Sequence, residues 1–194
     1  MRAWIIALVL LLTPVAASGE DAWQEGWDAY LRGDFATALS TWRPLAEQGH
    51  ALAQASLGDM YANGEGVPQD DAEAVKWYRL AAERGLAEAQ FGLGFMYYHG
   101  RGVPQDDVEA VKWFRLAAEQ GLAQAQVNLG AMYAIGQGVP QDYVQAHMWL
   151  NLGGSAGYAD SVKHRDTIAA LMTPNQIAEA RRLANEWIAA HPPQ

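Results

Sequence analysis

Residues 87–121 read AEAQFGLGFMYYHGRGVPQDDVEAVKWFRLAAEQG, and nearly the same text stands 36 residues earlier and 36 residues later. Gly49, Gly85, Gly121 and Gly157 mark the period. Between them Ala53-Gln54, Ala89-Gln90 and Ala125-Gln126 recur in register, as do Leu57-Gly58, Leu93-Gly94 and Leu129-Gly130, then Met60-Tyr61, Met96-Tyr97 and Met132-Tyr133. Self-similarity at a fixed period of this size marks an array whose units bury their apolar faces by stacking on one another.

Each unit reads as two helices. Asp70, Asp106 and Asp142 stand three residues ahead of Glu73, Glu109 and Gln145, a capping-box spacing that opens a second helix. That helix carries Ala74, Trp77, Leu80 and Ala81 at helical spacing and ends at Gly85, with Ala110, Trp113, Leu116 and Gly121, and Ala146, Trp149, Leu152 and Gly157 repeating the pattern. The loop Gly64–Asp70 and its copies hold glycines and a proline, but no strand precedes them and no Gly-Lys-Ser or Gly-Lys-Thr follows. A structural turn is therefore the reading, not a phosphate loop.

Upstream, Trp23–Arg32 and Phe35–Gln48 form a helix pair with a shorter connection around Gly33-Asp34, in which Trp42 falls in register with Tyr78 and Phe114. Terminal repeats are commonly degenerate in this way. Downstream, Tyr158–Leu171 reads as one helix. Thr173-Pro174-Asn175-Gln176 then opens a last amphipathic helix with Ile177, Ala180, Leu183, Ala184 and Trp187 on one face, which should close the array before a fraying tail from His191. The expected fold is all-α: a right-handed α/α superhelical solenoid of about five antiparallel helix pairs.

The Ala-x-Ala-Gln-x-x-Leu-Gly-x-Met-Tyr helix, the Gly-x-Gly-Val-Pro-Gln-Asp loop and the Ala-Val-Lys-Trp-Tyr/Phe helix resemble the Sel-one-like repeat, a longer-looped relative of the tetratricopeptide repeat. The resemblance covers residues 33–157 well and implies a scaffold that joins proteins. Some secreted relatives carry disulfides and are linked to cell-wall-related ligands. The present chain contains no cysteine and departs from them.

Met1 and Arg2, the apolar run Ile5–Leu12 and the small residues of Pro14–Ala17 have the make-up of a secretory signal peptide, with cleavage expected after Ala17 or Ser18. The run stops well short of the roughly 20 residues that span a bilayer. The expected organisation is a signal peptide at 1–17, a degenerate helix pair at 18–49, three repeats at 50–157 and capping helices at 158–194. The expected location is secreted or periplasmic, without stable membrane insertion after cleavage. Without cysteine there is no disulfide framework. A formal charge of −9 lacks the basic footprint that nucleic acid and anionic membrane surfaces select.

Internal repetition also separates positions fixed by stacking from positions free to vary. In the first helices the varying sets are Leu52/Glu88/Gln124, Ala55/Phe91/Val127, Ser56/Gly92/Asn128, Asp59/Phe95/Ala131, Ala62/Tyr98/Ala134 and Asn63/His99/Ile135. At about 100° per residue these fall in one stripe roughly 120° wide. In tetratricopeptide-like solenoids first helices line the concave surface, so the stripe is expected to face a groove. There Phe91, Phe95 and Tyr98 would form an aromatic cluster edged by His99 and flanked by Asp59, Asn63 and Asn128. Packing of these aromatics between neighbouring first helices is the alternative. Arg101, where other units have Glu65 and Gln137, reads as a solvated loop charge.

Catalytic patterns are missing from the text. His50, His99, His147, His164 and His191 show no His-x-x-x-His pairing, so no metal site is expected. Gly154-Ser155-Ala156-Gly157 lacks the nucleophile-elbow spacing, and no serine has lysine at the third following position. The reading is a non-catalytic scaffold without cofactor, monomeric, binding a protein or peptide in the groove. Binding or hydrolysis of cell-wall fragments, and self-association through the stripe, remain as alternatives.

Overall fold

The caps written into each repeat set the helix boundaries. In the computed structural model, which describes residues 19–155, 157 and 159–192, the chain forms α1 (Gly19–Leu31), α2 (Phe35–Glu47), α3 (Ala51–Asn63), α4 (Asp71–Glu83), α5 (Ala87–His99), α6 (Asp107–Glu119), α7 (Ala123–Ile135), α8 (Tyr143–Ser155), α9 (Ala159–Ala169) and α10 (Pro174–Ala190). No strand occurs among the described residues. The expected signal peptide at 1–17, the helix start at Tyr158 and the last two residues of the tail lie outside them.

Asp70 accepts from the amide of Glu73, and Asp106 and Asp142 repeat this at the next two second helices. First helices end at Gly64, Gly100 and Gly136, each at a positive φ of 65–74° that a side chain would resist. Thr173 and Gln176 close a reciprocal capping box at the start of α10.

Each helix from α1 to α8 packs on the next, giving an α/α solenoid of four antiparallel pairs. Three bonds recur with the 36-residue period, two tying one unit to the following one and the third closing each unit on itself. Gln54, Gln90 and Gln126 are buried and donate to the carbonyls of Ala46, Ala82 and Ala118 at the end of the preceding second helix. Arg43, Arg79 and Arg115 donate to the hydroxyls of Tyr61, Tyr97 and Tyr133 at 2.6–2.9 Å. Within each unit the amides of Asp70, Asp106 and Asp142 donate to the carbonyls of those same tyrosines. These side chains recur because every junction needs them.

The second helices bury a different seam from the one their spacing suggested. Ala74, Val75, Tyr78, Ala81 and Ala82 are buried in α4, whereas Leu80 is 44% exposed and Trp77 only half-buried. The helix is sandwiched between its own first helix and the next one, which places Tyr78 at the centre. There its ring rests on Gly58, as Phe114 rests on Gly94 and Trp42 on Gly26. In the third unit Trp149 and Leu152 are buried as expected, because α10 lies on α8 and brings Leu183, Ala184 and Trp187 into the same core. The final two helices depart from strict pairing, since α9 and α10 both rest on α8.

Candidate functional site

The varying positions of α3, α5 and α7 converge on one face. Asp59, Asn63, Phe91 and Phe95 line a recess of about 470 Å³ together with Glu88, Arg101 and the ring of Tyr78. Phe95, Tyr98, His99 and Asn128 line an adjoining recess of about 140 Å³ over Phe114 and Met132. Phe95 borders both. The structure therefore brings all seven sequence-derived residues into one continuous groove. The groove runs on past Ala131 and Ile135 into a third, apolar hollow of about 260 Å³ that reaches Ile168 on α9.

The aromatics are half-buried, with contacts to the core on one side and a place in the groove lining on the other. Phe91 is half-buried with its ring 5.6 Å from that of Phe114, so part of it belongs to the core. Phe95 and Tyr98 are half-buried and hold the exposed ring of His99 between them, with centroids at 4.2 Å and 4.9 Å. Asn63 is exposed and Asn128 half-buried.

Asp59 sits in the groove with its carboxylate open to solvent, yet the surrounding wall crowds it. It accepts a 2.5 Å hydrogen bond from the hydroxyl of Tyr78. Desolvation pushes its pKa above the ordinary carboxylate value, the Tyr78 bond opposes that shift, and the nearby charge of Glu65 adds to it. Burial and the Asp59 charge in turn drive the Tyr78 hydroxyl well above its usual value. No ion pair joins Asp59, Glu65 or Glu88 to a cation among the described residues.

Arg101 is not a free loop charge. Its Nε and Nη2 donate to both oxygens of Asp71, at 3.1 Å and 2.6 Å, and Nη2 also reaches the carbonyl of Ala62 at 3.0 Å. The loop folds back over the preceding unit, and the residue at this position always grips it. Glu65 accepts from Tyr30 at 2.8 Å, while Gln137 donates to Asp107 at 3.1 Å and accepts from Tyr98 at 3.4 Å.

Sequence comparison of the three regular units missed part of the face. The amide of Asp34 donates to Ala29, as that of Asp70 donates to Tyr61 and that of Asp106 to Tyr97, and Gly26 faces Trp42 as Gly94 faces Phe114. In that register Trp23, Trp27 and Tyr30 of α1 match Phe91, Phe95 and Tyr98 of α5. Their rings stack along the helix, Trp23 on Trp27 at 5.8 Å and Trp27 on Tyr30 at 5.7 Å. The matching positions of α3 are Ala55, Asp59 and Ala62, and those of α7 are Val127, Ala131 and Ala134. Aromatic ridges on α1 and α5 thus alternate with small-residue troughs on α3 and α7. The paired Gly26 and Trp42 carried the signal, but the shorter loop between them hid it.

Among the described residues no group of three or more histidine, aspartate or glutamate side chains is placed to hold a metal ion, and no helix is long and apolar enough to cross a membrane.

The model of the Sel1 repeat matches residues 51–86, 87–122 and 123–158, more than half of the chain. A crystal structure of a Sel1 repeat protein from Oxalobacter formigenes superposes with a TM-score of 0.69 at 34% identity, over 72% of this chain and 57% of that one. A protective antigen of uropathogenic Escherichia coli strains, with an SLR fold, superposes with a TM-score of 0.62 at 29% identity, over 89% of this chain and 46% of the antigen. An exopolysaccharide production negative regulator of Rhizobium leguminosarum bv. viciae is 42% identical over 53 residues, which is 27% of this chain and 20% of the regulator. The chain therefore spans only a part of each of these relatives. Sel1 repeats are protein-interaction scaffolds. With three consecutive repeats matched and the stacking bonds recurring at each junction, this chain belongs to the Sel1 repeat family.

Proposed function

We propose that this chain is an exported, non-catalytic adaptor that holds a segment of a partner protein in the groove formed by α3, α5 and α7. The observation that carries the reading is the convergence of seven aromatic and polar residues, all drawn from positions that vary between repeats, on two adjoining recesses of one face. Stacking fixes the recurring side chains; the groove is where the sequence is free to choose a ligand. Half-buried aromatics with exposed edges are the residue types that anchor protein interfaces. Export rests on the signal-like pattern of Met1–Ala17.

The test is a crosslinked capture from native cell-envelope extract with the full chain, set against a Phe95→Ala/His99→Ala variant whose circular dichroism matches the wild type. A partner protein held by the wild type and lost by the variant supports the reading. Partners held equally by both move the interaction off this face. Turnover of purified cell-wall fragments by the wild type would replace the adaptor reading with an enzymatic one.

A further inference from the structure

Two carboxylates line the groove without an ion pair among the described residues, the exposed Glu88 and Asp59, and Asp59 is the one held against the wall. In α3 the ridge position filled by Trp27 in α1 and Phe95 in α5 is Asp59. Its carboxylate opens into the same recess as Phe91 and Phe95, and its one hydrogen bond there comes from Tyr78. The cation that shares the recess, Arg101, is committed to Asp71 and to the carbonyl of Ala62. Several carboxylates elsewhere have a cation beside them: Asp71 has Arg101, Asp160 has Lys163 and Glu179 has Arg182. Glu65, on the loop that follows α3, adds a second negative charge near Asp59 and is likewise held only by a tyrosine hydroxyl, that of Tyr30.

We infer that the trough over α3 receives a lysine or arginine side chain of a partner polypeptide, with Asp59 as its counter-ion and the aromatic ridge of α5, Phe91 and Phe95, as its wall. The inference rests on the groove reading above and names its occupant. A carboxylate that shares a recess with aromatic rings favours a cation through the ion pair and through the attraction of the rings for positive charge. A partner with no positive charge at this point would leave a crowded carboxylate without compensation. The polypeptide nature of the partner follows from the shape. Beyond the acidic end the groove continues through the Phe95–His99 recess to the apolar hollow at Ile135 and Ile168. Adjacent helices lie about 10 Å apart, so α3 to α7 spans roughly 20 Å, the length of about six extended residues. The fitting segment has a basic residue at one end and apolar residues roughly three and six positions away.

Phage-displayed random twelve-residue peptides selected on the full chain test this. Enriched peptides are expected to carry arginine or lysine with apolar residues at those spacings. They should bind Asp59→Asn about tenfold more weakly and lose affinity as salt is raised. Asp59→Asn keeps an acceptor for Tyr78, and circular dichroism checks its fold. Peptides lost to Phe95→Ala but lacking a basic residue, or binding Asp59→Asn as well as the wild type, overturn the cation site and leave the groove standing. Peptides indifferent to Phe95→Ala, or no enrichment over an unrelated helical protein, count against both. A concentration-dependent mass abolished by Asp59→Asn would put a second copy of the chain in the groove and overturn the proposed occupant.

Discussion

Phe114 lies so close over Gly94 that a β-carbon on the glycine would stand 2.8 Å from the ring. Helix propensity alone would make Gly94→Ala stabilising by about 1 kcal/mol. Pressing a methyl group into a fitted core costs about 1–3 kcal/mol, and the ring also packs against Phe91 at a centroid distance of 5.6 Å. The variant is expected to lose about 1 kcal/mol net in urea denaturation. Equal or greater stability would mean that the ring has room to move.

Arg101 and Asp71 bridge consecutive units through two hydrogen bonds, with each side chain about one-third exposed. A double-mutant cycle on Arg101→Ala and Asp71→Ala is expected to give a coupling of about 0.5–1 kcal/mol, falling as salt is raised. The Arg101 hydrogen bond holds the Asp71 pKa below its ordinary value. Its contribution is therefore present above the unfolded carboxylate pKa and lost as pH falls through the depressed one. A coupling unchanged by acid would contradict this.

Gln90 is buried, donates to the carbonyl of Ala82 and accepts from Gln120. Gln90→Leu keeps the bulk but strands a buried carbonyl, at a cost of about 1–3 kcal/mol. Thermal denaturation of Gln90→Leu beside Gln126→Leu should show comparable losses, since Gln126 makes the same bond to Ala118. A loss at only one of the two junctions would show that the periodic bond is not a general tie.

Asp59 behaves in the opposite sense to Asp71. Crowding raises its folded-state pKa, so folding favours the protonated acid. That contribution is fully present below the ordinary value of 3.8 and is lost as pH rises through the raised one. Asp59→Asn is therefore expected to be more stable than the wild type at neutral pH, with the advantage vanishing in acid. Denaturation midpoints of both proteins across pH 3–7 check the sign. An advantage that persists in acid would trace to packing instead of charge.

The array and its boundaries were legible because stacking demands the same side chains at every junction, and recurrence reveals them. The varying stripe was legible for the converse reason. Leu80 was misjudged because helical spacing gives a face but not the neighbours on either side of a sandwiched helix. Trp27 and Tyr30 were overlooked because the shorter loop at Gly33 shifts α1 out of the 36-residue frame. Arg101 was misread because its partner Asp71 lies 30 residues back in the previous unit, and the gripping residue differs at each copy.

That gripping position alternates in step with the ridges. Tyr30 meets Glu65, the open space beside Ala62 admits Arg101, and Tyr98 meets Gln137. Junctions therefore come in two kinds, and the chain has a parity. Duplicating the unit 87–122 would set Tyr98 where the arginine of the copied loop needs an alanine, and would place two ridges side by side. Duplicating two units leaves every junction matched and extends the corrugation unchanged. An array built on this plan lengthens without damage only in even steps.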